Sequence, residues 1–387
     1  MEKNREGLFS HHALSDKERK NLTILELIRK EGRISRADIS KVTDINIVSI
    51  SNYVKKFMDE NIVVETGPDV SSGGRRAELV ELNTKGAYAI GIDVGAAKLR
   101  AAMIDISLKP VAKAESERPA GSADELVTAL KKLVADLCGK AGVEKGAVKA
   151  MGVGVAVNDW ALRDAINKVG IGTYIGSDAA CAAYGEKKLN ADADVEDLLY
   201  MYSDSGCGIV VSGDIYFGAG GTAGEIELYH EYRTKEESIF ARDAQYLRPW
   251  GSGICITETA KAEIEKGVGT TMVALAKGKM ENISLDVVIQ AAIGRDEIAS
   301  YIVENAGKNL GVRIAYLVNL FNPEMVVVGG GIEKAGELVL GPIRDAVKKF
   351  AFREQAEMVK IIPSALGADA VSLGAASLAV REVFLKA

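Results

Sequence analysis

Paired cysteines, long apolar runs and a surplus of positive charge are all missing from this chain. Its four cysteines, Cys138, Cys181, Cys207 and Cys255, are scattered with no close pair. That argues against a disulfide framework and for the reducing cytoplasm. No apolar run approaches the roughly 20 residues needed to span a bilayer, so no membrane partner is expected. Residues 1–10 are polar and charged and lack the apolar stretch of a signal peptide. The net charge is −6. Residues 1–85 carry 15 Lys+Arg against 14 Asp+Glu, and the remainder 33 against 40. The body is therefore acidic and repels nucleic acid, and only the N-terminal part tolerates a polyanion. What is present, 387 residues with 48% apolar and 26% charged side chains, describes a soluble globular protein of two or three domains.

The first segment reads as three helices and a hairpin. A helix over 21–31 puts Leu22, Leu25 and Ile28 on one face and stops at Gly32. Ser35 and Asp38 fit a capping pattern ahead of a short helix over 36–42. Asp44-Ile45 makes a tight turn, and Asn46 caps a third helix running to about residue 60 with Ile50, Val54, Phe57 and Met58 as its core stripe. Residues 62–65 and 77–82 read as two strands of a wing. A short helix, a tight turn and a longer helix are the parts of a helix-turn-helix. The candidate DNA-binding residues are Ser35, Arg36, Asn46, Ser49, Ser51, Asn52, Lys55 and Lys56. Ser49 and Asn52 lie off the apolar stripe, where base edges or phosphates are in reach, and the lysines suit phosphates. A small three-helix domain with a polar face is the plainer alternative. Ser71-Ser72-Gly73-Gly74-Arg75-Arg76 follows as a flexible basic joint. Arg75 and Arg76 are either solvated linker charges or an insert into a narrow minor groove.

The body begins near residue 86. Strands are expected over 87–94, 99–106, 150–157, 198–202 and 209–212, and a late one over 325–328. A helix is expected over 123–138. The strand-turn-strand theme recurs, which suggests duplicated α/β lobes with a cleft between them. Asp93, Gly95 and Lys98 form a strand-end Asp and Gly turn of the kind that cradles phosphate, and Gly329-Gly330-Gly331 opens a second Gly-rich turn.

At these motifs the chain resembles the ROK family (repressors, open reading frames and kinases), whose sugar kinases have the actin-like ATPase fold. The similarity rests on Gly73-Gly74-Arg75-Arg76-Ala77-Glu78-Leu79, Gly91-Ile92-Asp93-Val94-Gly95, the motif from Gly218 to Glu225, and Asn322-Pro323-Glu324 with the glycines after it. It implies an α/β fold class: an N-terminal winged helix-turn-helix, then a two-lobed actin-like body. The expected limits are a DNA-binding domain over 1–70 with its wing strand continuing to about 83, a linker and wing over 71–85, a first lobe over 86–200 and a second over 201–387. The closing helix packs back on the first lobe. The resemblance carries the family's catalytic aspartate to Asp178 and its sugar contacts to Asn158, Glu225 and, more weakly, Glu258. Asp178 also reads as an ordinary helix cap ahead of an Ala-rich stretch.

The departures from the family's kinases are informative. They have Gly-Thr where this chain has Ala96-Ala97, and a Gly-Thr-Gly loop where it has Tyr202-Ser203-Asp204. A carboxylate there repels a γ-phosphate, and a tyrosine crowds the approach that glycine permits. The nucleotide residues Asp93, Gly95, Lys98 and Gly329 to Gly331 are therefore read as degenerate, with no ATP-Mg expected. The loop before Asp178 is short. The family's zinc cluster fails too: Leu228 stands at its His, His230 is offset, and the region before Glu258 supplies only Cys255, so no metal is expected. The reading that follows is a cytoplasmic, homodimeric or dimer-of-dimers repressor of operator DNA. Its body binds a sugar or sugar-phosphate effector, or only dimerises, without catalysis. The alternative is an active hexose kinase carrying a DNA-binding head.

Overall fold

The computed structural model describes residues 8–10, 14–68, 78–156, 162–192, 194–202, 206–226 and 253–387. Helix α1 (Asp16–Glu31) begins five residues earlier than its apolar periodicity implies. A full capping box sets that start. Ser15 Oγ accepts from the Glu18 N–H, and the Glu18 carboxylate accepts from the Ser15 N–H at 2.8 Å. The buried stripe is Asn21, Ile24, Leu25 and Ile28. A short strand β1 (Ile34–Ser35) leads into α2 (Arg36–Thr43), and Asp44 turns the chain at φ 55° into α3 (Ile47–Asp59). Ile50, Val54 and Phe57 of α3 are buried. Strands β2 (Val63–Pro68) and β3 (Glu78–Leu82) form the wing, and with β1 they make an antiparallel sheet in the order β1-β3-β2. Helix, helix, turn, helix and wing thus follow in the order that the sequence implies, with α1 starting earlier and the first wing strand running further.

Two further sheets share one topology. The first contains β4 (Tyr88–Val94), β5 (Lys98–Asp105), β6 (Pro110–Glu117), β7 (Val148–Val155) and β8 (Thr173–Ser177), in the order β6-β5-β4-β7-β8. The second contains β9 (Leu198–Tyr202), β10 (Gly206–Val211), β11 (Asp214–Ile215), β12 (Met325–Gly329) and β13 (Lys360–Pro363), in the order β11-β10-β9-β12-β13. In each, the first three strands run antiparallel and the last two join in parallel, with the first strand at the centre. This is the duplication that the repeated strand-turn-strand pattern suggests.

The described residues group into two compact units, Met1–Ser177 with Val371–Ala387, and Asp178–Ala370. In the first, α4 (Ala123–Ala141) covers β5 and β6, and Leu130, Leu133 and Leu137 meet Ile92, Leu99 and Val153 in its core; α5 (Arg163–Ile166) adds Ile166. In the second, α6 (Asp178–Leu189) lies on β9 and β10. Helices α7 (Gly253–Glu265), α8 (Met272–Leu275), α9 (Leu285–Ile293), α10 (Glu297–Phe321), α11 (Glu337–Phe350) and α12 (Arg353–Met358) build the other layer. Leu310 and Ile314 of α10 share one buried cluster with Leu199 and Val326 of the sheet.

Two Ala-rich helices approach their sheets at backbone distance. Helix α13 (Ala370–Lys386) lies so close to β4 and β7 that a methyl on Gly91 would sit 1.8 Å from the Ser372 carbonyl oxygen, and one on Gly152 2.0 Å from that of Ala375. Helix α6 does the same over Gly208, 2.1 Å from the Ala179 carbonyl oxygen. Only glycine fits under a helix at these distances.

The N-terminal residues hold a difference from the sequence reading. Phe9 is only 1% exposed, stacks on Tyr174, and donates its N–H to the Ile175 carbonyl, so the apparently polar terminus carries an anchor. Ser10 caps Glu382 of α13 through its N–H at 2.7 Å and its hydroxyl at 2.8 Å. The helical head is tied to the same helix. Asn21, wholly buried, donates to the Leu385 carbonyl at 3.1 Å and to that of Ala387.

Candidate functional site

The outward side of α3 is the candidate nucleic-acid interface. Asn46 is exposed and caps the helix, accepting from the Val48 N–H at 2.8 Å. Asn52 and Lys55 are exposed, and Ser49 is half-buried beside them. Ser51 turns its hydroxyl back to the Ile47 carbonyl at 2.9 Å. Lys56 lies 3.7 Å from Glu60 and crowds Lys17 of α1, whose ammonium is held below its ordinary value by this like-charged neighbour. Two facing ammonium groups suit a phosphate. Lys17 escaped the sequence reading because it lies on another helix, before the apparent start of the periodic stripe.

Two of the sequence candidates have structural duties. Ser35 is buried, accepts from the Asp38 N–H at 3.1 Å and donates to the Asp38 carboxylate at 2.6 Å. Arg36 pairs with Glu65 of the wing at 2.5 Å. Both hold the helix-turn-helix and its wing together. Arg75 and Arg76 lie outside the described residues, as do Asn158, Ser203, Asp204, Leu228 and His230.

In the first unit, the charged candidates Asp93 and Lys98 are engaged by neighbouring side chains. Asp93 is 3% exposed, and its cross-strand partner Arg100 reaches its carboxylate at 3.4 Å. Lys98 pairs with Glu115 at 2.9 Å and holds that carboxyl below its ordinary value. Gly95 makes the turn between them, where a methyl would lie 2.8 Å from the Lys98 carbonyl oxygen.

In the second unit, Gly329 ends β12 directly beside Tyr202 of β9. Tyr200, stacked on Tyr202, sets its hydroxyl 1.9 Å from where a methyl on Gly329 would be. Gly330 and Gly331 turn at φ 83° and 97°. The Gly331 N–H donates to the Glu333 carboxylate at 2.7 Å, and burial pushes that carboxyl up. An internal carboxylate thus occupies one backbone donor of this glycine-rich turn. In each unit, then, groups of the glycine-rich turns and strand ends have internal partners.

The sugar-side residues are placed as follows. Asp178 opens α6, is 6% exposed, and accepts from the Ala179 N–H at 2.7 Å, so one oxygen serves the helix start. Glu225 lines a cavity of about 730 Å³ whose other walls include Ile209, Tyr216, Ile226, Arg313 and Leu317. Gly224, at φ 97°, holds it there: Cys207 donates to the Gly224 carbonyl at 2.8 Å, and a methyl on Gly224 would lie 1.7 Å from the Cys207 carbonyl oxygen. The walls carry one carboxylate and one guanidinium among mostly apolar and aromatic side chains. Glu258 is exposed on α7. Among the described residues no three His, Cys, Asp or Glu side chains converge to hold a metal ion, and Cys255 stands half-exposed on α7.

The family model described as "ROK family" matches residues 89–382. The chain belongs to the ROK family. A second model, described as "Winged helix-turn-helix DNA-binding", matches residues 17–64, so this ROK chain carries the head that its sequence announces. Its relatives include the xylose repressor of Caldicellulosiruptor bescii, 27% identical over 94% of this chain and 95% of that one. The N-acetylglucosamine repressor of Escherichia coli O6:H1 is 25% identical over 90% and 89% respectively. Among solved structures, a ROK family transcriptional regulator described as a homologue of the E. coli MLC protein aligns with a TM-score of 0.75 at 21% identity. That alignment covers 96% of this ROK chain and 98% of the other. The actin-like body behind a winged head is therefore the fold. No helix among the described residues is long and apolar enough to cross a membrane.

Proposed function

We propose that this ROK chain is a DNA-binding transcriptional repressor whose kinase-like body takes a sugar-class effector and transfers no phosphoryl group. The observation that carries the reading is an asymmetry between the two ends. The helix-turn-helix keeps an exposed polar and cationic face on α3, while Asp93, Lys98 and the Gly331 N–H are taken by Arg100, Glu115 and Glu333. The relatives named as xylose and N-acetylglucosamine repressors support a sugar as effector.

The mechanism follows from linkage. Two heads of a dimer would engage successive major grooves of a pseudo-palindrome. A sugar held beside Glu225 would lower operator affinity only by binding the DNA-incompetent arrangement more tightly. Arg75 and Arg76, if they enter a minor groove, add affinity on A·T tracts.

Selection of bound duplexes from a random library tests the DNA half. Enrichment of a two-fold-related motif is the expected result, and recovery of unenriched DNA overturns it. A coupled ADP-release assay over a hexose panel tests the other half. Turnover above background would restore the kinase alternative.

A further inference from the structure

Three apolar side chains stand unsheltered at the tip of the head: Val42 at the end of α2 is 65% exposed, and Ile47 and Val48 in the first turn of α3 are 42% and 65% exposed. The buried stripe of α3 is Ile50, Val54 and Phe57, and Val48 faces away from it, while Ile47 stands at the exposed end of the stripe. The Asp44 turn and the Asn46 cap fix where they project. Val48, Asn52 and Lys55 fall at i, i+4 and i+7, which is one stripe of a helix. Read from the helix start, that stripe is an apolar group, a carboxamide and an ammonium. The first turn of α3 carries no carboxylate to repel a polyanion.

We infer that Val48, flanked by Ile47, reads the C5-methyl group of thymine in the major groove, so that the operator half-site presents an A·T pair to the start of α3. The N-terminal residues of the second helix in a helix-turn-helix are the ones that meet base edges. Of the four bases only thymine offers a methyl there, and an apolar side chain is its complement. Asn52, one turn on, has the paired donor and acceptor that match adenine N7 and N6. Lys55, exposed one further turn on, carries an ammonium that suits a phosphate. A stiff β-branched side chain at position 48 loses little freedom on contact, which suits discrimination by a single methyl. This inference rests on the DNA-binding reading above and adds the base that it recognises.

The test uses the full chain and the duplex recovered by selection. Each thymine of one half-site is replaced in turn by uracil, which deletes the methyl and leaves pairing intact. Affinity is read by fluorescence anisotropy at fixed salt. At one position the swap weakens wild-type binding by about fourfold, the worth of one buried methyl group. Val48→Ala, whose melting temperature stays at the wild-type value because the side chain is exposed, binds the thymine and uracil duplexes alike. Wild-type affinity unchanged by every swap overturns the inference, as does full methyl discrimination by Val48→Ala. A chain that enriches no duplex at all fails at the earlier step and removes the DNA-binding reading with it.

Discussion

Replacing Asn21 by alanine tests whether the head is held to α13 by specific hydrogen bonds or merely rests against it. The Asn21 side chain is fully buried and supplies two donors, to the Leu385 and Ala387 carbonyls. Each hydrogen bond contributes about 1 kcal/mol net, and a buried carbonyl left without its donor costs about 1–3 kcal/mol. Neighbouring ties survive the change: Lys149 still donates to the Glu60 carbonyl at 3.1 Å, and Ser10 still caps Glu382. The expected loss is about 3 kcal/mol in the free energy of undocking, or on the order of a hundredfold in the opening equilibrium. Amide hydrogen exchange followed by mass spectrometry reads that equilibrium. Peptides from α1 and the last turns of α13 should exchange on the order of a hundredfold faster in Asn21→Ala. Peptides from α10, in the other unit, should be unchanged. Exchange in α1 and α13 within about twofold of wild type would refute the assignment, because an opening free energy set by these two bonds cannot survive their deletion.

Other outcomes follow from the packing and the charges. Gly91→Ala drives a methyl into the backbone of α13 and should cost at least about 3 kcal/mol, the upper end for overpacking, since backbone cannot rotate away; a denaturant midpoint close to wild type would contradict the close approach. Burial pushes the Cys207 thiol up to about 12, and Cys138 and Cys181 are also buried, so a thiol reagent at pH 8 should label Cys255 alone until denaturant is added. Rapid labelling of a second cysteine would disprove this. Burial alone would raise the Asp296 carboxyl, but hydrogen bonds from Ala299, Thr271 and Thr270 outweigh it and hold the group below its ordinary value. Its stabilisation is therefore complete above the unfolded value near about 4 and is lost as pH falls through the lower folded value. Asp296→Ala should be about 1 kcal/mol less stable at pH 7, with the gap to wild type closing in more acid solution. A gap independent of pH would refute the charged cap.

The elements with strong local signals were legible in the sequence. The α3 stripe, the Asn46 cap and strand β9 fall where periodicity and capping chemistry put them. The duplicated topology was visible as two strand-turn-strand modules. What escaped was long-range. Asn21 reads as a polar residue beside an apolar stripe, because its partners lie some 364 and 366 positions away. Phe9 is one aromatic in a polar stretch, and only its neighbours on β7 and β8 explain it. The pairing of Asp93 with Arg100 needed the strand register, not the motif. Glu333 on the Gly331 N–H was hidden because a turn's donors cannot be assigned from glycine spacing alone. Val48 was not singled out because only polar and charged residues were sought as DNA contacts, and its exposure is a property of the packed head.

The placement of α13 has a consequence for how the protein comes into being. The second unit, Asp178–Ala370, is one uninterrupted stretch, whereas the first needs Val371–Ala387 to cover Gly91 and Gly152 and to receive Asn21. During synthesis the later-made unit can therefore complete its core before the earlier-made one. The DNA-reading head leaves the ribosome before the body and is braced only once α13 has followed it.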